Sequence, residues 1–186
     1  SDHCRVKVCD YRDMDEWGGY DALVSVGMFE HVGAKLLPVY FDRAWKLLKP
    51  GGVFMNHAIA GRIGEKLRHK HSFNETYVFP DGELTAISTS LRAAESVGFE
   101  VRDVESLREH YAMTLHHWAR RLETHHDEAL QYVDEPVYRV WRLYMSGAVY
   151  DFKAGRRNVH QALLVKPDQA GCSGLPLTRT DWYNHK

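Results

Sequence analysis

Cysteine is scarce in this sequence. Cys4, Cys9 and Cys172 are an odd complement with no CxxC pair. That excludes a disulfide framework and argues against a zinc knuckle. The thiols read as reduced, as in a cytoplasmic protein. Long apolar runs are missing too: none nears the roughly 20 residues that a membrane-spanning helix needs. The opening Ser1-Asp2-His3-Cys4-Arg5 lacks the apolar core of a signal peptide. The chain is therefore expected to be soluble, or at most peripheral to a membrane. No charge of one sign dominates: the formal net charge is −1, so no overall field draws the chain to nucleic acid or to an anionic surface. There is no internal repeat and no low-complexity tract. What remains is a chain of 186 residues, 44% of them hydrophobic, which suits one domain with one core.

Val6-Lys7-Val8-Cys9 alternates and ends at Asp10, as a short strand would. Polar residues follow, and Gly18-Gly19 marks a loop. Asp21 to Met28 is nearly continuous in apolar residues, the pattern of a strand covered on both faces in a parallel sheet. From Ala34 to Leu48 the apolar residues recur at helical spacing, among them Leu37, Tyr40, Phe41 and Ala44. Lys49-Pro50-Gly51-Gly52 stops that helix, and Val53 to Ile59 reads as the next buried strand. This order predicts a parallel sheet with right-handed crossovers. Residues 61–82 are polar and hold Gly61, Gly64, Pro80 and Gly82. They read as a long loop of the kind that serves as a lid. A helix is predicted over 84–96, closed by Gly98, and a strand over 99–104. Residues 108–155 are helix-rich and aromatic, interrupted near Asp134-Glu135-Pro136. Asn158 to Val165 is the last strand, and the tail from Pro167 lies on the surface.

Several short runs stand in one order along the chain: Asp10-Tyr11-Arg12-Asp13, then Asp21 through Gly33, then His57 with Ile59, then His110-Tyr111-Ala112-Met113-Thr114-Leu115 followed by Trp118. Together they resemble the motifs of cyclopropane-fatty-acid synthases and mycolic acid cyclopropane synthases, which are class I methyltransferases. The resemblance implies an α/β, Rossmann-like sheet. Residues 1–107 would form part of its core, 108–156 an inserted helical region shaping a lipid pocket, and 157–186 the last strand and a surface tail. It implies S-adenosylmethionine as cofactor and bicarbonate as bound base. The implied reaction adds a methylene group to the double bond of an unsaturated phospholipid acyl chain, at the inner membrane surface. Related enzymes leave methyl or methylene branches or methylate amines, and a non-catalytic lipid-binding module is a further alternative. The chain departs from the family in lacking a glycine-rich GxGxG loop. That loop, the ribose-holding acid and an active-site cysteine would all lie upstream. The expectation is a C-terminal half with an open strand edge, which associates with itself or with a missing N-terminal segment.

Each site residue has a plain reading beside the implied one. Arg12 and Asp13 follow a predicted strand, where ligands of open α/β sheets bind; by resemblance they meet the adenine edge, and otherwise they are solvated. Val26, Gly27 and His31 belong to the cofactor side of the signature; His31 could equally be a helix-entry histidine. Glu30 directly follows an apolar strand. It is either a helix N-terminal acid or, by resemblance, a partly desolvated carboxyl that helps hold bicarbonate. His57 sits at the carboxyl end of its strand, where a structural histidine is the plain reading. By resemblance it joins Glu30, the backbone of Ile59 and the hydroxyl of Tyr111 in holding that anion. Arg120, Arg121, Arg139, Arg142, Arg156 and Arg157 could meet lipid head groups or form a solvated face. His116, His117, His125 and His126 carry no metal-site framework, so no metal is expected.

Overall fold

The computed structural model describes residues 3–15, 19–64 and 72–183. Gly18 and part of the expected 61–82 loop lie outside the described residues. Strand β2 (Leu48–Ala60) shows how the sheet arises. Phe54, Asn56, Ala58 and Ala60 are buried while Val53, Met55, His57 and Ile59 are half-buried. That is the period of two imposed by the pleat. The buried face meets helix α1 (Leu37–Leu47), whose Leu37, Tyr40, Phe41, Ala44 and Leu47 form one stripe. Rings of Phe29, Tyr40, Phe41, Phe54 and Phe99 meet edge-on or tilted in this core. Complete burial of Phe41 contributes about 2–3 kcal/mol.

Four strands form one sheet in the order β1-β2-β4-β3. Strand β1 (Tyr20–Val26) runs parallel to β2, with Val26 opposite His57. Strand β3 (Glu100–Ser106) pairs antiparallel with β4 (Asn158–Val165), and β4 antiparallel with β2. Strands β1, β2 and β3 therefore share one direction as expected, and β4, set between β2 and β3, runs against them. After β3 the chain leaves along helix α4 (Arg108–Thr124), turns through the short α5 (His126–Ala129) and returns along α6 (Glu135–Lys153). Two long helices, one out and one back, deliver it to the end of the sheet it left, so β4 must run backwards. The turn is set by Asp134, whose carboxylate accepts from Val137 N, and by Pro136 in the first turn of α6. Ala112, Leu115 and Phe152 of the two helices pack on Val159 and Ile59, on the half-buried face.

Several expectations need correction. Val6–Cys9 is no strand: Val6 and Val8 are fully exposed, and alternation alone cannot hold a strand that finds no neighbour. Strand β1 is not covered on both faces, since Val24 is 66% and Val26 63% exposed. The 34–48 helix begins as a 3₁₀ turn (Ala34–Leu36) before α1, and the 84–96 helix, here α3, starts at Ile87. The 61–82 segment contains helix α2 (Phe73–Tyr77), started by a Ser72/Glu75 capping box. Lys49-Pro50-Gly51-Gly52 does end α1, yet β2 starts at Leu48 with no intervening loop. Gly52 is essential to that join, because a Cβ there would lie 2.8 Å from the carbonyl oxygen of Lys49. The tail is tied back by Arg179, which pairs with the buried Asp103 at 2.6 Å before the closing helical turn α7 (Thr180–Tyr183).

Candidate functional site

The carboxyl ends of β1 and β2 lie side by side because the two strands are parallel, and the site starts there. Gly27, just past β1, donates its N–H to the His57 carbonyl at 3.1 Å. Its φ of 66° and the open space where a Cβ would sit leave backbone accessible at this point. A 3₁₀ turn, Phe29–His31, follows and anchors Phe29 in the core. The same turn carries Glu30 inward, to 8% exposure. One carboxylate oxygen of Glu30, Oε1, accepts from the backbone N–H of Ile59 at 2.7 Å. The other, Oε2, is buried and has no hydrogen-bond partner among the described residues. A buried carboxylate oxygen without a donor is costly, so it marks a place for a group that can supply one.

These residues open into a cavity of about 550 Å³. Val26, Gly27, Glu30 and His31 line it from β1 and the turn, and His57 and Ile59 line it from β2. Tyr111 comes from α4 and Tyr144 from α6. The Tyr111 ring meets Phe152 at 4.9 Å and Trp118 at 6.1 Å. Burial raises the Tyr111 phenol above its ordinary value, and the Glu30 charge adds to the rise. Burial, then Tyr111 and Glu30, push Tyr144 up to about 12. Both hydroxyls therefore remain donors across the physiological range.

Seven of the nine expected residues thus share one cavity wall: Val26, Gly27, Glu30, His31, His57, Ile59 and Tyr111. Arg12 and Asp13 do not line it. They form a separate 3₁₀ turn (Tyr11–Asp13) in which Arg12 pairs with Asp10 at 2.7 Å. That pairing holds the Asp10 carboxyl at about 2. Arg43 of α1 ties this turn down by donating to the carbonyls of Tyr11 and Met14. The backbone of Ile59 enters the site by giving its N–H to Glu30.

Other wall residues carried no sequence signal. Phe79 meets Tyr144 at 5.5 Å and Trp141 at 6.4 Å. It lies in the expected loop, which is fastened over the site: Glu83 N donates to the Glu30 carbonyl at 2.8 Å, and Glu83 Oε2 accepts from Ala34 N. Gln161 of β4 reaches His57 at 3.2 Å. Of the six arginines considered for head groups, Arg157 alone lines the cavity. Arg139 pairs with Glu135, Arg142 with Glu123, and Arg156 with Asp151. Among the described residues no group of His, Cys, Asp and Glu is placed to hold a metal ion, and no helix is long and apolar enough to cross a membrane.

Residues 1–162 match the sequence model of the family described as mycolic acid cyclopropane synthetase. A Pseudomonas putida protein named "Probable fatty acid methyltransferase" is 43% identical over 98% of this chain and 47% of its own length. The structure of the cyclopropane synthase MmaA2 from Mycobacterium tuberculosis superposes with a TM-score of 0.79 at 32% identity, over 86% of this chain and 59% of that one. The cyclopropane synthase CmaA1, solved with SAH and CTAB, gives 0.75 at 30% identity, over 83% and 57%. The chain spans about half the length of the relatives it matches.

Proposed function

The chain belongs to the mycolic acid cyclopropane synthetase family, and from that premise we infer that it forms the acceptor side of an S-adenosylmethionine-dependent methyltransferase acting on unsaturated acyl chains. The acyl chain is that of a phospholipid, the product is a cyclopropane ring, and bicarbonate is the base. The observation that carries this reading is Glu30: a buried carboxylate with one oxygen fixed by Ile59 N–H and one without a partner among the described residues, at the wall of an aromatic cavity.

The residues present fit one side of S-adenosylmethionine. Val26, Gly27 and His31 line the cavity, and the open backbone at Gly27 allows close approach. Bound there, the cofactor would supply an electrophilic methyl group. An acyl chain would lie along Tyr111, Trp118, Phe79, Trp141 and Tyr144, which exclude water from the reacting carbons. Transfer of a methyl group to an alkene leaves positive charge on carbon. Each ring face would stabilise that charge by roughly 0.5–2 kcal/mol. Bicarbonate would fit between His57, the Tyr111 hydroxyl and Glu30 Oε2, provided one of the two acids carries the proton between them. The role of Ile59 in this arrangement is to hold Glu30 through its N–H, and Glu30, His57 and Tyr111 would position the base.

Delivery of phospholipid acyl chains calls for peripheral contact with the inner membrane surface. Exposed Tyr132 and Val133, in the turn before α6, support that contact. The open edge of β1 supports association with a further segment or a second copy. A second reading keeps the cofactor and the cation but ends in a methyl or methylene branch; the name of the Pseudomonas putida relative favours it.

The test is to mix the protein with S-adenosylmethionine, bicarbonate and vesicles of unsaturated phospholipid, then to read the acyl products by proton NMR. Upfield cyclopropane methylene signals are expected. Branched chains would select the second reading, and unchanged lipid would overturn both.

A further inference from the structure

His57 and Gln161 face each other across the antiparallel pair β2 and β4. Opposed residues in such a pair project on one side of the sheet, so their side chains are neighbours. The Gln161 amide nitrogen, Nε2, stands 3.2 Å from Nδ1 of His57. An amide nitrogen donates and cannot accept. In this arrangement Nδ1 offers its lone pair, and a neutral ring carries its proton on Nε2. His57 lines the cavity, and Nε2 is the ring nitrogen that Gln161 does not engage.

We propose that Gln161 is a positioning residue which fixes His57 as the Nε2–H tautomer, so that the histidine enters the cavity as a hydrogen-bond donor. The consequence is specific. A donor suits an anionic ligand, while the opposite tautomer would turn a lone pair towards it. With the Ile59 N–H already given to Glu30, the His57 N–H is one of few donors on this side of the cavity, so its direction decides whether an anion is held or repelled. The catalytic consequence rests on the reading of the cavity given above; the tautomer itself does not.

The experiment uses the protein labelled with ¹⁵N-histidine and long-range ¹H–¹⁵N correlation at a pH where the ring is neutral. The His57 signals are assigned by their loss in His57→Gln. The expected result is an unprotonated Nδ1 and a protonated Nε2. Gln161→Glu places an accepting carboxylate at the same point and should move the proton to Nδ1. Gln161→Met, close in shape and without a donor, should give a mixture; its thermal unfolding shows that the fold is kept. In the lipid assay Gln161→Glu should lower kcat on the order of 10-fold or more and leave KM for S-adenosylmethionine unchanged. A wild-type ring protonated on Nδ1, a tautomer unmoved by Gln161→Glu, or a moved tautomer with unchanged kcat each overturns the proposal. Wild-type protein with the expected tautomer but no lipid product overturns the reading of the cavity instead.

Discussion

Glu30 joins two demands that usually conflict: it is buried to 8% exposure and it is a carboxylate. One hydrogen bond from Ile59 N–H meets part of that conflict. Glu30→Gln keeps an acceptor for this N–H and should unfold at nearly the wild-type temperature. Glu30→Ala leaves the N–H unpaired and should lose about 1–3 kcal/mol in denaturant titration. The charge of Glu30 also raises the phenols of Tyr111 and Tyr144. In Glu30→Gln that contribution vanishes, so phenolate absorbance from these two rings should appear at lower pH than in the wild type. Glu30 was singled out by its resemblance to the family motif; its place directly after an apolar strand left a helix N-terminal acid equally open. Gln161 was not, because its partnership with His57 depends on a strand pairing across 104 positions. Phe79 was hidden for a related reason: it sits in a polar stretch whose fastening by Glu83 is tertiary.

Among the elements, the α4–α5–α6 hairpin carries a pH dependence of its own. His126 lies between Asp127 at 2.9 Å and Glu135 at 3.2 Å, and its ring stands edge-on to Tyr138. Asp127 and then Glu135 raise its pKa above 6.5. A raised histidine stabilises the fold while it is charged. The contribution is thus fully present below about 6.5, the unfolded value, and disappears as the pH rises through the higher folded value. Protection factors of the amides in residues 124–138, which remove the intrinsic rise of exchange with pH, should fall across that window. In His126→Gln the change should be absent. The helical character of this stretch and its interruption near Asp134-Glu135-Pro136 were readable in advance, since Asp134 and Pro136 act within a few residues. Strand β4 was readable too, and its bounds are those expected. The supposed strand at Val6–Cys9 failed because a strand needs a neighbour as well as an alternating pattern.

On the scale of the whole molecule, the sheet of the described residues ends at β1, where Val24 and Val26 stand exposed beside an edge that none of those residues pairs. Such an edge invites another chain. Light scattering of this chain should show growth with concentration, and Val24→Lys should reduce it, because a lysine on an edge opposes further pairing. Composition and element order conveyed the α/β class and the parallel start. They did not convey the strand order, since nothing local distinguishes β4 beside β3 alone from β4 between β2 and β3. That position has a consequence in time. The ribosome makes β4 after the two strands it separates, so neither can complete its pairing until residue 165 has been synthesised. The nascent chain must hold β3 and the long helices without their central support until then, a delay that long-range sheet contacts lengthen further.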